Sequence, residues 1–344
     1  MGFNMIVNIT ENNGLKLLGV VDNYSSLIWT ESFKSTGDFS LEVPLLKTTF
    51  EIIKVGRQIY LDKDISHRMV IEKVQTKVSL DKGLILIASG RCAKSLLSRR
   101  IIWEEIRKEN LNLLEAIDLV ISQNMSGLPI VFDKSKHAFL EKYKTDGTIK
   151  SASVLDWLED SLKEFNLGYS LSFINGDYLL EIREPRNTNV FFSFERGNMI
   201  SNDYYDDISK HSNVALIRGE DKENAPRTTQ SVGDASGWDR FETYIDGSSY
   251  SSEIAGNKLS EQQYQNMLKT YATRGLKKIK RQYDIEIDSG LDNQFDDYYS
   301  LGDIAHVKSF DGNDVQVLIS STTLSDSAEG RTYLPTMEVV DYGI

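Results

Sequence analysis

The chain has 344 residues, with 40% hydrophobic and 26% charged residues and a net charge of −12. That length exceeds what one hydrophobic core usually serves, so two to four subdomains are expected. The acidic balance repels phosphate and disfavours specific nucleic-acid binding, and the single cysteine, Cys92, excludes an internal disulfide and a zinc cluster built on cysteines.

The start "MGFNMIVNIT" lacks the basic opening and long apolar run of a signal peptide. Position 6 is Ile, not Ser or Thr, so the myristoylation pattern is missed. No apolar run approaches the roughly 18 residues that span a bilayer. The chain is expected to have no membrane anchor and to bypass the general export route.

The first hundred residues read as strands. Leu27-Ile28-Trp29 form one, and Gly37-Asp38 signals a turn. Phe39, Leu41 and Val43 then alternate with Asp38, Ser40 and Glu42, the period of a half-buried strand. Pro44 ends its pairing, having no N–H to donate. Gly56 opens the strand "RQIYL". Val70, Val74 and Val78 share a face with Glu72 and Thr76, and Asp81-Lys82-Gly83 turns the chain into Leu84–Ala88. Five or more short antiparallel strands predict a small barrel or curled sheet over residues 1–98. Cys92 follows the last apolar run and reads as a buried, inert thiol.

Residues 99–186 read as an α/β unit. Leu113, Leu114, Ile117, Val120 and Ile121 have helical spacing, with Asn110 or Asn112 as cap. Val154, Leu155, Leu158, Leu162 and Phe165 form a second stripe, with Ser153 and Asp156 at capping-box spacing. Asn175-Gly176-Asp177 joins two strand patterns, a strong hairpin signal.

Strand patterns return in "NVFFSF" and "NVALIRGE". Residues 221–256 read as a loop or irregular insertion. A helix follows over Leu259–Arg281, capped by Ser260 and Gln263. Tyr264, Met267, Leu268, Tyr271 and Ala272 share its face. Gly275 costs that helix about 1 kcal/mol relative to Ala, which predicts a bend or break. The basic run Arg274–Arg281 reads as a complement to the helix dipole. Tyr283, Ile285 and Ile287 alternate, and a last hairpin turns at Asp311-Gly312-Asn313. The expected fold is α+β, mainly β: two small antiparallel barrel-like domains (1–98; 187–220 with 282–344), an α/β domain between them (99–186), and an inserted loop and long helix (221–281).

Catalytic spacings are scarce. His67, His137, His211 and His306 form no His-Glu-x-x-His pattern, and His306 reads as a strand-surface residue. Glu104-Glu105, Asp206-Asp207 and Asp296-Asp297 are adjacent acids, common in a chain with 51 acidic residues. Residues 202–207 and 296–299 mix acids with tyrosines and read as solvated loops or a subunit interface. "DKDISH" and "DGND" lack EF-hand spacing. Neither a phosphate-binding Gly-x-x-x-x-Gly-Lys loop nor a nucleophile elbow occurs. The sequence nominates no catalytic, cofactor or metal residue, and the chain is expected not to be an enzyme.

Two segments resemble a known family. Leu27, Ile28, Trp29, Gly37, Asp38, Phe39, Leu41, Val43 and Pro44 resemble the N-terminal signature of siphophage tail-associated hub proteins, relatives of the central baseplate hub of contractile-tailed phages. "VGRQIYL" is similar to that family's next strand, with Arg57 where an acid is common. The helix Leu259–Arg281, the strand Tyr283–Ile287, Tyr298-Tyr299, Leu301-Gly302-Asp303 and Val307 follow in the family's order. The resemblance implies a homotrimer in which each subunit gives two barrels to a pseudo-sixfold ring between the sixfold tail tube and a threefold tip. It implies partners in the distal tail protein or tail-tube ring, the tape measure protein, and tip or receptor-binding proteins. It places the product in the virion after synthesis in the bacterial cytoplasm, with roles in host attachment and DNA ejection. The alternatives are a tail-tip cell-wall hydrolase using acids such as Asp203, Asp206 and Asp207, or a polysaccharide-binding module using the tyrosine-rich stretches.

Overall fold

The structure, a computed structural model, describes residues 5–62, 64–79, 83–108, 110–145, 147–222, 225–254, 257–286, 299–310 and 312–340. The expectations for Asp81, Lys82, Ile287, Asp296, Asp297, Tyr298 and Asp311 lie outside the described residues.

The N-terminal part is β1 (Val7–Thr10), β2 (Leu17–Val21), β3 (Ser26–Ser32), β4 (Asp38–Pro44), α1 (Lys47–Ile52), β5 (Gln58–Leu61), β6 (Met69–Ser79) and β7 (Gly83–Cys92). The alternation read in β4 holds: Phe39, Leu41 and Val43 are buried while their neighbours face outward. Trp29 and Phe39 sit opposite each other on β3 and β4, with ring centroids 6.2 Å apart, and join Ile9, Leu27, Ile59 and Leu86 in one core. Val70 does not share a face with the other two valines of β6. A bulge between Ile71 and Lys73 turns Val70 toward the α/β core; Val74 packs against the first core, and Val78, farther out on the same face as Val74, is exposed. An inserted residue reverses a period-two face.

The α/β unit holds β8 (Ile106–Arg107), α2 (Leu113–Asn124), β9 (Ile130–Phe132), β10 (Thr148–Ile149), α3 (Val154–Glu164), β11 (Gly168–Ile174) and β12 (Asp177–Arg183). Asn112 is the cap of α2, its Oδ1 accepting the Glu115 N–H at 2.9 Å. The box expected on α3 is absent: Ser153 makes no side-chain cap bond. The shorter Asp156 replaces the Glu that normally reaches back. The Asn175-Gly176 turn forms as read, both residues at positive φ, and joins β11 to β12 residue for residue. β9 adds parallel to β12.

The remaining strands are β13 (Arg186–Phe192), β14 (Ser201–Asp207), β15 (Val214–Arg218), β16 (Thr229–Val232), β17 (Glu242–Asp246), β18 (Glu253–Ile254), β19 (Asn257–Lys258), β20 (Lys280–Glu286), β21 (Asp303–Lys308), β22 (Asp314–Ser327) and β23 (Gly330–Val339), with α4 (Glu261–Gly275) before β20. The capping box on α4 forms between Ser260 and Gln263. The helix ends at Gly275, so most of the basic run is not helical; Lys280 and Arg281 lie on β20, opposite Asp207 and Asp206 of β14. Within 221–256, the described residues hold strands β16, β17 and β18 rather than a loop alone. Strand β15 leaves the main sheet, pairs β16 and β17 instead, and packs Ala215 and Ile217 on Tyr264, Leu268 and Ala272 of α4.

The fold is α+β and mainly β. Among the described residues, thirteen of the strands form one sheet in the order β14-β20-β23-β22-β3-β4-β7-β6-β5-β1-β2, with β13 and β21 beside this path; no sheet closes, and the two expected barrel regions share this one sheet. The reason is the long hairpin β22–β23. The first part of β22 pairs β21; after an irregularity at Ile319/Ser321 its second part pairs β3. Val317 and Ile319 therefore lie in the C-terminal core, and Leu324 in the N-terminal one.

Candidate functional site

The β3–β4 connection, residues 33–37, joins the N-terminal sheet, the C-terminal strands and the α/β unit. The Phe33 N–H donates to Ser320 O of β22 (2.8 Å), and its carbonyl accepts the Tyr169 N–H of β11 (3.0 Å). Lys34 Nζ reaches Glu338 Oε2 of β23 at 2.9 Å. Thr36 Oγ1 donates to Glu159 Oε1 of α3 at 3.0 Å, and the Tyr169 hydroxyl donates to the same oxygen at 2.7 Å. From the 3-10 helix Ala93–Arg99, Lys94 Nζ donates to Ser32 O (2.6 Å) and Ser35 O (2.9 Å).

The Phe33 ring is a peg in a socket of glycines. A Cβ on Gly168 would lie 2.3 Å from the ring, and one on Gly302 2.4 Å from it; Gly302 also has φ +89°. Only glycine fits both demands. Next to it, Asp303 is buried and grips Arg186 of β13 with both oxygens, at 2.8 and 2.9 Å, while accepting the Ser300 N–H at 2.9 Å. The β3–β4 connection and Leu301-Gly302-Asp303, remote in sequence, are thus in direct contact through the Phe33 ring.

Burial shapes the titration here. It pulls the Lys94 amine down to about 8 and pushes the Tyr169 hydroxyl and the half-buried Cys92 thiol up. Cys92 is held by the Gly37 N–H, 3.3 Å from Sγ, and a thiol above its ordinary range is a poor nucleophile.

The residues weighed for chemistry lie apart from this junction. Asp203, Asp206 and Asp207 are exposed on β14 rather than in a loop. Asp203 and Asp207 share one face and Asp206 takes the other; Arg281 Nε is 3.7 Å from Asp206. Glu105 pairs with Arg107 at 3.0 Å. His137 is buried, its Nδ1 against Asp133 O (2.8 Å) and its Nε2 accepting the Ile182 N–H (3.1 Å), which makes it a structural link. His67 pairs with Asp64 at 2.5 Å. Burial would raise the Asp64 carboxyl, but the His67 hydrogen bond and charge, with the Ser66 hydroxyl, hold it at about 2. His211 holds Lys277 O at 2.7 Å, and His306 stacks on Phe191. Among the described residues, no group of three or more His, Cys, Asp or Glu is placed to hold a metal.

The profile of the Siphovirus ReqiPepy6 Gp37-like protein family matches residues 6–114 and 136–337. The chain belongs to that family. It is a phage tail protein, and membership implies a place in the virion tail. No curated protein sequence matches it. Three solved tail proteins share its fold over nearly the whole of both chains. A tail protein from Neisseria meningitidis MC58 is 12% identical, with TM-score 0.61, covering 98% of this chain and 97% of its own. The 43 kDa tail protein of prophage MuSo2 from Shewanella oneidensis is 14% identical, with TM-score 0.59 and coverages of 97% and 98%. Prophage tail protein gp18 from Listeria monocytogenes EGD-e is 9% identical, with TM-score 0.57 and coverages of 99% and 96%.

In this tail protein, the Leu27–Pro44 and Leu301–Asp303 segments of the resemblance build the junction and its flanking strands, while α4 packs on β15. Sequence reasoning singled out Trp29, Phe39 and Gly302 but passed over Phe33 and Lys94. Phe33 lies beyond the alternating run, and a lysine carries no sequence mark of burial.

Proposed function

We propose that this tail protein is a structural hub of the tail tip or baseplate. Three copies close into a ring, and each contributes two β-modules, giving six similar units toward the sixfold tube and three toward the tip. The observation that supports this reading is the hairpin β22–β23, which runs through two separate β-cores in one chain. A rigid link between paired modules suits a part that must present two equivalent surfaces per subunit. Its partners are the distal tail protein or tail-tube ring, the tape measure protein and the tip or receptor-binding proteins, and its role is architectural rather than enzymatic.

Light scattering tests the assembly: a mass three times the 39.0 kDa chain is expected. A zymogram on host cell walls tests the second point. Clearing by the purified chain would overturn the architectural reading in favour of a hydrolase, and saturable binding to host polysaccharide would favour a sugar-binding module.

A further inference from the structure

A small cavity of about 60 Å³ lies beside the junction, walled by Lys94, Arg68, Arg183, Glu31, His67 and Tyr169 among others. Its cations are unusual in their pairing. Lys94 and Arg68 are 7% and 4% exposed. Lys94 donates to two carbonyl oxygens and lies 4.2 Å from the Tyr169 ring centre. Arg68 donates to Ile65 O (3.1 Å) and Thr10 Oγ1 (3.3 Å) and stacks over Phe173 at 4.0 Å. Arg183 stands exposed at the edge of the same space. Among the described residues, none of the three has a carboxylate within ion-pair distance, in a chain where acids outnumber bases 51 to 39. Glu31, the carboxylate of the wall, accepts from Trp29 Nε1 at 3.0 Å; with Glu159 it acts on Lys94 from beyond ion-pair distance and offsets the three cations only in part. His67 is engaged by Asp64, and Cys92 borders the space as a protonated thiol.

Burying a cation without a counter-charge costs several kcal/mol. Neutral carbonyls and ring faces satisfy hydrogen bonds but leave the net charge in place. We propose that the cavity binds a small inorganic anion, of chloride to phosphate size, which neutralises Lys94, Arg68 and Arg183 and locks the β3–β4 connection onto the α/β unit. The volume suits such an ion: a water needs roughly 10–15 Å³ by this measure, so the space holds a few waters or one small anion. Nucleotides and sugars are too large.

The test uses the full chain at fixed ionic strength, with sodium gluconate, too large for the cavity, replaced stepwise by bromide or phosphate. The thermal midpoint is expected to rise with the logarithm of the small-anion concentration, as ligand linkage requires. The rise is expected to vanish in Lys94→Met and in Arg183→Gln; the latter changes an exposed residue and keeps the test valid if the former does not fold. Anomalous diffraction from bromide-soaked crystals should place a peak in this cavity, beside Lys94 and Arg183. Waters alone in the cavity, an equal rise in Arg183→Gln, or a peak without concentration-dependent stabilisation (an adventitious ion only) would each overturn the proposal.

Discussion

Replacing Phe33 by alanine removes the ring held between Gly168 and Gly302 and should cost about 3–5 kcal/mol in urea unfolding. Gly302→Ala should destabilise the wild type through both its positive φ and the clash. In the Phe33→Ala background, with the clash removed, its cost should fall by about 1 kcal/mol or more. Strict additivity would mean that the two do not touch. Lys94 gives a pH signature. Its folded value, about 8, lies below its ordinary 10.5, so the unfolded chain binds more protons between those limits and stability rises with pH across that window. Below pH 8 the full cost of the buried charge is present. The tyrosines work in the opposite sense above pH 10, because burial raises Tyr178 to about 12. The clean measurement is therefore the difference between wild type and Lys94→Met from pH 8 to 10 in gluconate, where no small anion holds Lys94 charged: the wild-type slope should be steeper, and equal slopes would contradict the assignment. Neither Phe33 nor Lys94 was legible in the sequence, because both matter through partners far along the chain.

At the scale of elements, local chemistry was readable where both halves of a device are local. The Ser260–Gln263 box, the Asn112 cap, the Asn175-Gly176 turn and the β4 alternation all depend on neighbours within a few residues. The α3 cap fails for a local reason too, and this separates two serines. Ser260→Ala should cost about 1 kcal/mol. Ser153→Ala should be neutral within about 0.5 kcal/mol or stabilising, since its Oγ is buried without a partner among the described residues. Equal losses in thermal unfolding would contradict the caps as described. Long-range pairing was not readable. Nothing local in "NVALIRGE" says that its strand joins β16 and β17, and nothing in β22 marks where its partner changes from β21 to β3. That change makes a prediction for hydrogen exchange. Leu324→Ala, in the N-terminal core, should cost about 2–5 kcal/mol and speed exchange in β20 and β21 as well, because the same hairpin carries both cores. Faster exchange confined to β3, β4 and β7 would show that the cores unfold independently.

For the whole molecule, fold class and family were within reach of the sequence because the short motifs fall in a fixed order along the chain. How the strands combine was not: the alternation of a strand is the same in a barrel and in an open sheet. The 13-stranded sheet ends at β2 on one side and at the acidic, tyrosine-bearing β14 on the other, and the ring proposal requires that copies meet without relying on a closed barrel in each. Electron cryo-microscopy of intact tail tips tests this most directly. The account predicts three copies of this chain around the tail axis, with both β-cores of each facing the tube in quasi-equivalent positions. A single copy, six copies, or a site away from the axis would contradict it.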